Sequence, residues 1–317
     1  MDAPVPEGTL IGHRWRVVGQ LGEGGFGRVF EAIDESDISL GRAAVKLLHP
    51  NISPQERNSF LGEVQRIAGL RHPNLVGYLD SGQQTVNDEI HPYLVTELCV
   101  GTLNDHVRAK PGARLPAAET LAVLADVSAG LDHLHQRSLI HRDIKPGNVL
   151  YADGNWKLAD FGLMRDLTAT GTYHRSSQLT GTPMFMAPEL FSTMTATAPS
   201  DIYALGVLAH LVGSGRPLHT GTGPALVHQI TAGQPEIDHT LYPALRDLIA
   251  RATAVEPGSR PTAREFHDVA VAHLAEAAAA TRAIEMYPPP SVGPAADEPR
   301  SQTVPSVAVA GSPGVAG

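Results

Sequence analysis

The 317-residue chain is short of cysteine, lysine and long apolar runs. Its one cysteine, Cys99, excludes an internal disulfide framework and fits a reducing compartment. No apolar run approaches the ~20 residues that span a bilayer. The opening MDAPVPEGTL lacks the basic and apolar regions of a secretory signal. A soluble, cytoplasmic protein with no membrane span is therefore expected. Positive charge is scarce as well: 24 basic residues face 33 acidic ones, a formal net charge of −9. That balance argues against a nucleic-acid or anionic-membrane surface. The 15 histidines form no convincing cluster with carboxylates or cysteines at metal-ligand spacing. Four lysines stand against 20 arginines (24 less four), so the positions that keep lysine are informative.

What is present begins with VVGQLGEGGFGRVFEAID, residues 17–34, where Gly22, Gly24 and Gly27 have the spacing G-x-G-x-x-G. The spacing serves two unrelated nucleotide sites. In one it leads into a helix whose N-terminus takes a pyrophosphate; in the other it bends a hairpin over the phosphates of ATP. It also fits a plain glycine-rich turn. The flanks favour the hairpin, because Val29, Glu31 and Ile33 alternate with Phe30, Ala32 and Asp34, the period of a strand. RWRVVGQL reads as the strand before it.

Further strands are expected near 43–48 and within NLVGYLDSG and HPYLVTEL. Between them a helix over 54–70 places Phe60, Val64, Ile67 and Leu70 on one face, started by a capping box of Ser53 and Glu56 with Pro54 first. After residue 99 the pattern turns mostly helical. A core helix is predicted over 117–136 from Leu121, Leu124, Val127, Leu131 and Leu134, with others near 199–213, 222–231, 242–253 and 262–282. A strand-rich third followed by a helical remainder predicts an α+β fold of two lobes with a cleft between them. From residue 287 the chain is Pro, Ala, Gly, Ser and Val without periodicity, the composition of a disordered tail.

Two lysines have telling neighbours. Lys46 ends RAAVK, and Lys145 lies in HRDIKPGNVL. A compact ammonium suits phosphate oxygens in a tight space. HRDIKPGNVL (141–150), LADFG (158–162) and GTPMFMAPE (181–189) follow the glycine hairpin and RAAVK in order. Together they resemble the catalytic core of the bacterial eukaryotic-like (Hanks-type) Ser/Thr protein kinases, over about residues 12–280.

The resemblance implies a bilobal protein kinase domain at 12–280, with an N-lobe to 98 and a C-lobe from 99. A flexible N-terminus (1–11) and a disordered tail (281–317) flank it. It implies ATP and Mg²⁺ (or Mn²⁺) as cofactors. Leu21, Gly22, Glu23, Gly24, Gly27, Val29, Ala44 and Leu150 would enclose the nucleotide, and Thr96, Glu97 and Cys99 would form the hinge, Cys99 acting through its backbone. Lys46, steadied by Glu63, would hold the α- and β-phosphates. Asn148 and Asp160 would hold the metal, and Asp143 would take or orient the proton of the acceptor hydroxyl. Lys145 would stabilise the transferring phosphoryl group; Thr182, contacting Asp143 and Lys145, would favour Ser/Thr over Tyr. Glu189 would pair with Arg260, Asp201 would anchor the catalytic loop, and Tyr78, Ile67, Phe161 and His141 would stack as a column. Arg142 would offer a cationic pocket to a phosphate on the activation segment, for which Thr170 and Thr172 are the candidates. The implied partners are proteins carrying Ser or Thr, and a second copy in a transient homodimer for trans-autophosphorylation.

Three departures stand out. Phe185 replaces a usual Tyr, and Val100 replaces the polar residue often found after the hinge, which leaves the ribose contact unassigned. The chain also ends in its linker-like tail, where bacterial members often continue into a transmembrane helix and a sensor domain. A soluble kinase or a piece of a longer one is expected. A pseudokinase-type binding scaffold would lack Lys46, Asp143, Asn148 or Asp160, and none is missing. A small-molecule phosphotransferase is disfavoured by GTPMFMAPE and Arg260, which would build a protein-substrate groove.

Overall fold

The computed structural model describes residues 5–24, 27–37, 41–50, 54–86, 88–161, 183–233 and 235–286; at 54–56, 59, 63, 65–66 and 280–286 the description covers the backbone alone. The N-terminal third folds into six strands: β1 (Leu10–Ile11), β2 (Trp15–Gly24), β3 (Gly27–Asp34), β4 (Arg42–Leu48), β5 (Tyr78–Val86) and β6 (Glu89–Glu97). They form one antiparallel sheet in the order β1-β2-β3-β4-β6-β5. Strand alternation gives the sheet two different faces. Phe30, Ala32, Val45, Leu47, Tyr93 and Val95 pack with Trp15 and Val17 into a small core on one face. The intervening residues Val29, Ala44, Lys46, Leu94 and Thr96 face the other way, into the cleft. Asp34 is fully buried on the packed side of β3, where the Arg14 guanidinium bonds both its oxygens. Helix α1 (Pro54–Ile67) contributes Phe60, Val64 and Ile67 to the main core. The capping box expected from Ser53 and Glu56 lies outside the described residues.

The expected strand at 74–82 starts later, at Tyr78. The preceding segment pairs elsewhere: Leu158 N donates to Asn74 O (2.9 Å) and Val76 N to Leu158 O (2.9 Å). Within the stretch expected to be mostly helical, a second sheet joins β7 (Gly101–Thr102), β8 (Val149–Ala152) and β9 (Asn155–Leu158). Its hairpin turns at Asp153-Gly154, both at positive φ (52° and 81°), the geometry of a two-residue Asp-Gly turn.

Helices α2 (Leu103–Arg108), α3 (Ala117–His135), α4 (Leu190–Thr193), α5 (Ala198–Ser214), α6 (Pro224–Ala232), α7 (Pro243–Ala252) and α8 (Ala263–Met286) complete the larger lobe. Helix α5 is buried nearly all round, as a helix apolar on every face must be. Gly130 lets α3 approach the 74–76 segment, since a Cβ there would lie 2.5 Å from Asn74 O. Helix α8 continues six residues past the expected tail boundary at 280. Its alanine-rich end EAAAATRAIEM favours helix strongly enough to extend it to Met286. Among the described residues no helix is long and apolar enough to cross a membrane.

Candidate active site

Between the sheet and the second hairpin lies a cleft of about 440 Å³, within the usual range of about 300–1,000 Å³ for small-molecule sites. Leu21, Gly22 and Val29 roof it, Ala44 and Lys46 form the inner wall, and Thr96, Glu97 and Cys99 line the connection between lobes. Asn148, Leu150 and Asp160 lie on the opposite side. Glu23, Gly24 and Gly27 sit further along the hairpin and do not line the cavity. The glycines differ in their reasons. A Cβ at Gly27 would stand 2.1 Å from Leu47 O, and its φ is +146°, so the sheet itself requires glycine. A Cβ at Gly22 or Gly24 would meet nothing within 4 Å. The protein makes no steric demand there, which leaves room for a ligand to approach the backbone.

Charge gathers at one end of the cleft. Register pairs Lys46 with Val29 and with Leu94, fixing its side chain on the cleft face. Lys46 Nζ donates to Asp160 Oδ2 at 2.6 Å. Burial alone would raise the Asp160 pKa, but the ammonium of Lys46, with His141 and Lys145 further off, holds it below the usual carboxylate range. Asp160 has a left-handed backbone, φ 59°, and its neighbour Ala159 N donates to Asn148 O at 2.9 Å. That bond brings Asn148 and Asp160 side by side.

Asn148 donates Nδ2 to both the backbone O and Oδ2 of Asp143, each at 2.8 Å. Its Oδ1, a hard oxygen donor suited to Mg²⁺, is the amide's remaining group. Lys145 Nζ bonds the same Asp143 oxygen at 2.6 Å. Beneath them the buried Asp201 of α5 accepts from the backbone N–H of His141 (2.8 Å) and of Arg142 (2.8 Å). It pairs also with His135 Nε2 (2.9 Å). Two backbone bonds to one carboxylate hold this loop through the strained φ of 72° at Arg142. Tyr78 and His141 both meet Phe161, at centroid distances of 5.2 and 6.5 Å, beside the buried Ile67.

Arg260 uses all five of its donors. It binds both Glu189 oxygens (2.8 Å each) and the carbonyls of Ala254, Pro199 and Val255 (2.8, 2.9 and 3.0 Å). Burial alone would raise the Glu189 pKa; the bonds from Arg260 and Ser200 bring it below the ordinary value. Burial, with Glu97 nearby, pushes the Cys99 thiol up to about 12, so it is protonated at neutral pH and a poor nucleophile.

Thr182, Thr170 and Thr172 lie outside the described residues, as does the side chain of Glu63. No spacing pattern pointed to His135 as a partner for Asp201, because the two are 66 positions apart. The β8–β9 hairpin did carry a signal, its Asp-Gly pair.

A two-lobed fold with its lysine, asparagine and carboxylates drawn to one end of an interlobe cleft defines a protein kinase domain. Residues 15–270 match the family model described as the protein kinase domain, and the chain belongs to that family of phosphotransferases. It is 35 % identical over 274 residues to the DNA damage-responsive serine/threonine-protein kinase RqkA of Deinococcus radiodurans, covering 86 % of this chain and 40 % of that protein. To the serine/threonine-protein kinase PksC of Streptomyces coelicolor it is 32 % identical over 303 residues, 91 % of this chain and 52 % of the relative. To PknA of Mycobacterium tuberculosis it is 31 % identical over 306 residues, 94 % and 68 % respectively. The chain thus spans about half the length, or less, of the first two relatives.

Proposed function

We propose that this domain transfers the γ-phosphate of Mg-ATP to serine or threonine hydroxyls of proteins. The observation that carries the reading is the linked set Lys46–Asp160 and Asn148–Asp143–Lys145, two ion-paired groups bridged by the Asn148–Ala159 backbone bond. The residues suit the ligand: open space above Gly22 and Gly24 admits phosphates to the backbone, and Asn148 and Asp160 offer hard oxygens. When bound, Mg-ATP supplies the phosphoryl group and much of its charge neutralisation.

Lys46 would turn from Asp160 towards the α- and β-phosphates, leaving Asp160 and Asn148 Oδ1 for Mg²⁺ or Mn²⁺. Asp143, fixed through Oδ2 by Asn148 and Lys145, has its other oxygen to orient the acceptor hydroxyl and take its proton. Such placement typically contributes ~10²–10⁴ in rate. Lys145 supplies positive charge where negative charge is transferred. We also assign Arg142 to a phosphate on the activation segment, with Thr170 or Thr172 as its carrier. The sharp backbone turn at Arg142, anchored by Asp201, supports that assignment. The pseudokinase scaffold has no observation in its favour.

The test is incubation of the protein with labelled ATP and Mg²⁺ or Mn²⁺, alone and with a generic basic protein. Label on serine and threonine, with phosphate between residues 168 and 180 by mass spectrometry, is the expected result. An active preparation with an unmodified segment overturns the Thr170/Thr172 assignment, and absence of transfer overturns the whole reading.

A further inference from the structure

Lys157 has no part in the roles above, yet it is the most enclosed of the four lysines. Its side chain is 8 % exposed, against 19 % for Lys46, 30 % for Lys145 and 34 % for Lys110. An ammonium stays out of water only where anions replace its solvation. Here Nζ donates to Glu97 Oε2 at 2.7 Å and to Asp153 Oδ2 at 2.9 Å. The two carboxylates are unequal. Asp153 is 78 % exposed in the hairpin turn, where an ion pair contributes little; Glu97 is 24 % exposed and bound on both sides. Its Oε1 accepts from Gly77 N at 2.7 Å, and its own N–H donates to Gly77 O at 2.9 Å.

Glu97 therefore stands between two spaces. It lines the cleft, and it also lines a hollow behind the connection between lobes, which Lys157, His72 and Leu75 share. Lys157 lies directly across the β8–β9 pairing from Leu150, a cleft residue, and three positions before Asp160. One ammonium thus joins the end of β6 to the hairpin that carries Leu150 and leads into Asp160. Burial works to lower the Lys157 pKa, but Glu97 and Asp153 raise it above the ordinary lysine value, so the charge persists at neutral pH.

We propose that Lys157 is a positioning residue for the nucleotide: by gripping Glu97 from behind, it fixes the 97–99 backbone relative to Leu150 and Asp160. The inference rests on the reading of the cleft as a Mg-ATP site. A brace that merely stabilised the fold would lower the melting temperature without separating ATP affinity from turnover.

The experiment is steady-state kinetics on the full chain with Mg-ATP and an acceptor peptide. Lys157→Met is expected to raise KM for ATP about tenfold, with kcat and the peptide KM held within about twofold, the signature of lost binding. Lys157→Arg keeps the charge and should recover most of the loss. Glu97→Gln, which retains an acceptor for Gly77, should raise KM for ATP similarly, and the double variant should be no worse than Lys157→Met alone. Should Lys157→Met fail to fold, Glu97→Gln carries the same test. Wild-type protein that transfers no phosphate overturns the reading of the cleft. Wild-type protein that does transfer it, with KM for ATP unchanged in the variants, overturns this inference alone.

Discussion

Lys46 and Asp160 stand 2.6 Å apart in the cleft, so the ammonium proposed above for phosphate and the carboxylate proposed for metal pair with each other in this structure. Lys46→Met and Asp143→Asn are expected to fold normally and lose phosphoryl transfer by ~10²-fold or more, since each removes a charge and almost no packed volume. Circular dichroism alongside initial rates checks both halves of that statement; a variant keeping more than about a tenth of wild-type turnover refutes the assigned role. Arg260 makes a different case. Its five donors all meet protein acceptors, and its guanidinium lies 5.1 Å from the Tyr203 ring. Removing one member of such a buried pair typically costs about 3–5 kcal/mol. Arg260→Leu should therefore show that loss in urea unfolding, whereas a loss below about 1 kcal/mol would place the pair among weak surface bridges.

Helix α5 and the segment after it are held by histidines that must stay neutral. His210 uses both ring nitrogens on backbone, Nδ1 toward Arg216 O (3.0 Å) and Nε2 accepting from Asp238 N (3.1 Å). His219 Nε2 meets the Tyr203 hydroxyl at 2.9 Å. Burial lowers the pKa of both, and for His219 the nearness of His210 adds to it. A histidine depressed in the fold takes up its proton more readily in the unfolded chain. The stability these two contribute is thus complete above the unfolded value, ~6.5, and is lost as pH falls below it. The melting temperature should drop between pH 7.5 and 5.5, and a flat profile would contradict the neutral assignment. None of this network was legible in the sequence, because its partners come from separate turns. Periodicity placed the six longest helices to within a few residues at their ends, since a 3.6-residue stripe survives burial, but missed the short α2 and α4. It gave no hint of β7, whose two residues are too few to show a period.

At the scale of the whole molecule, the cleft was legible because its residues sit in contiguous motifs whose chemistry is local: RAAVK, HRDIKPGN, LADFG. What joins those motifs was not. The Glu97–Lys157 and His135–Asp201 contacts span 60 and 66 positions and carry no spacing rule. The stretch from 288 lies outside the described residues, and its composition argues that catalysis does not need it. Truncation after Tyr287 is expected to leave melting temperature and turnover unchanged, and a collapsed midpoint would show that the tail packs on the domain. The proposed Mg-ATP-dependent Ser/Thr transfer is tested most directly by phosphate transfer from ATP to a Ser/Thr peptide, measured for wild type and Asp143→Asn across a Mg²⁺ titration with an EDTA control. Transfer is expected to rise with Mg²⁺, vanish in EDTA and fall at least ~10²-fold in the variant. Transfer indifferent to Mg²⁺ and to Asp143, or none from the wild type, would contradict it.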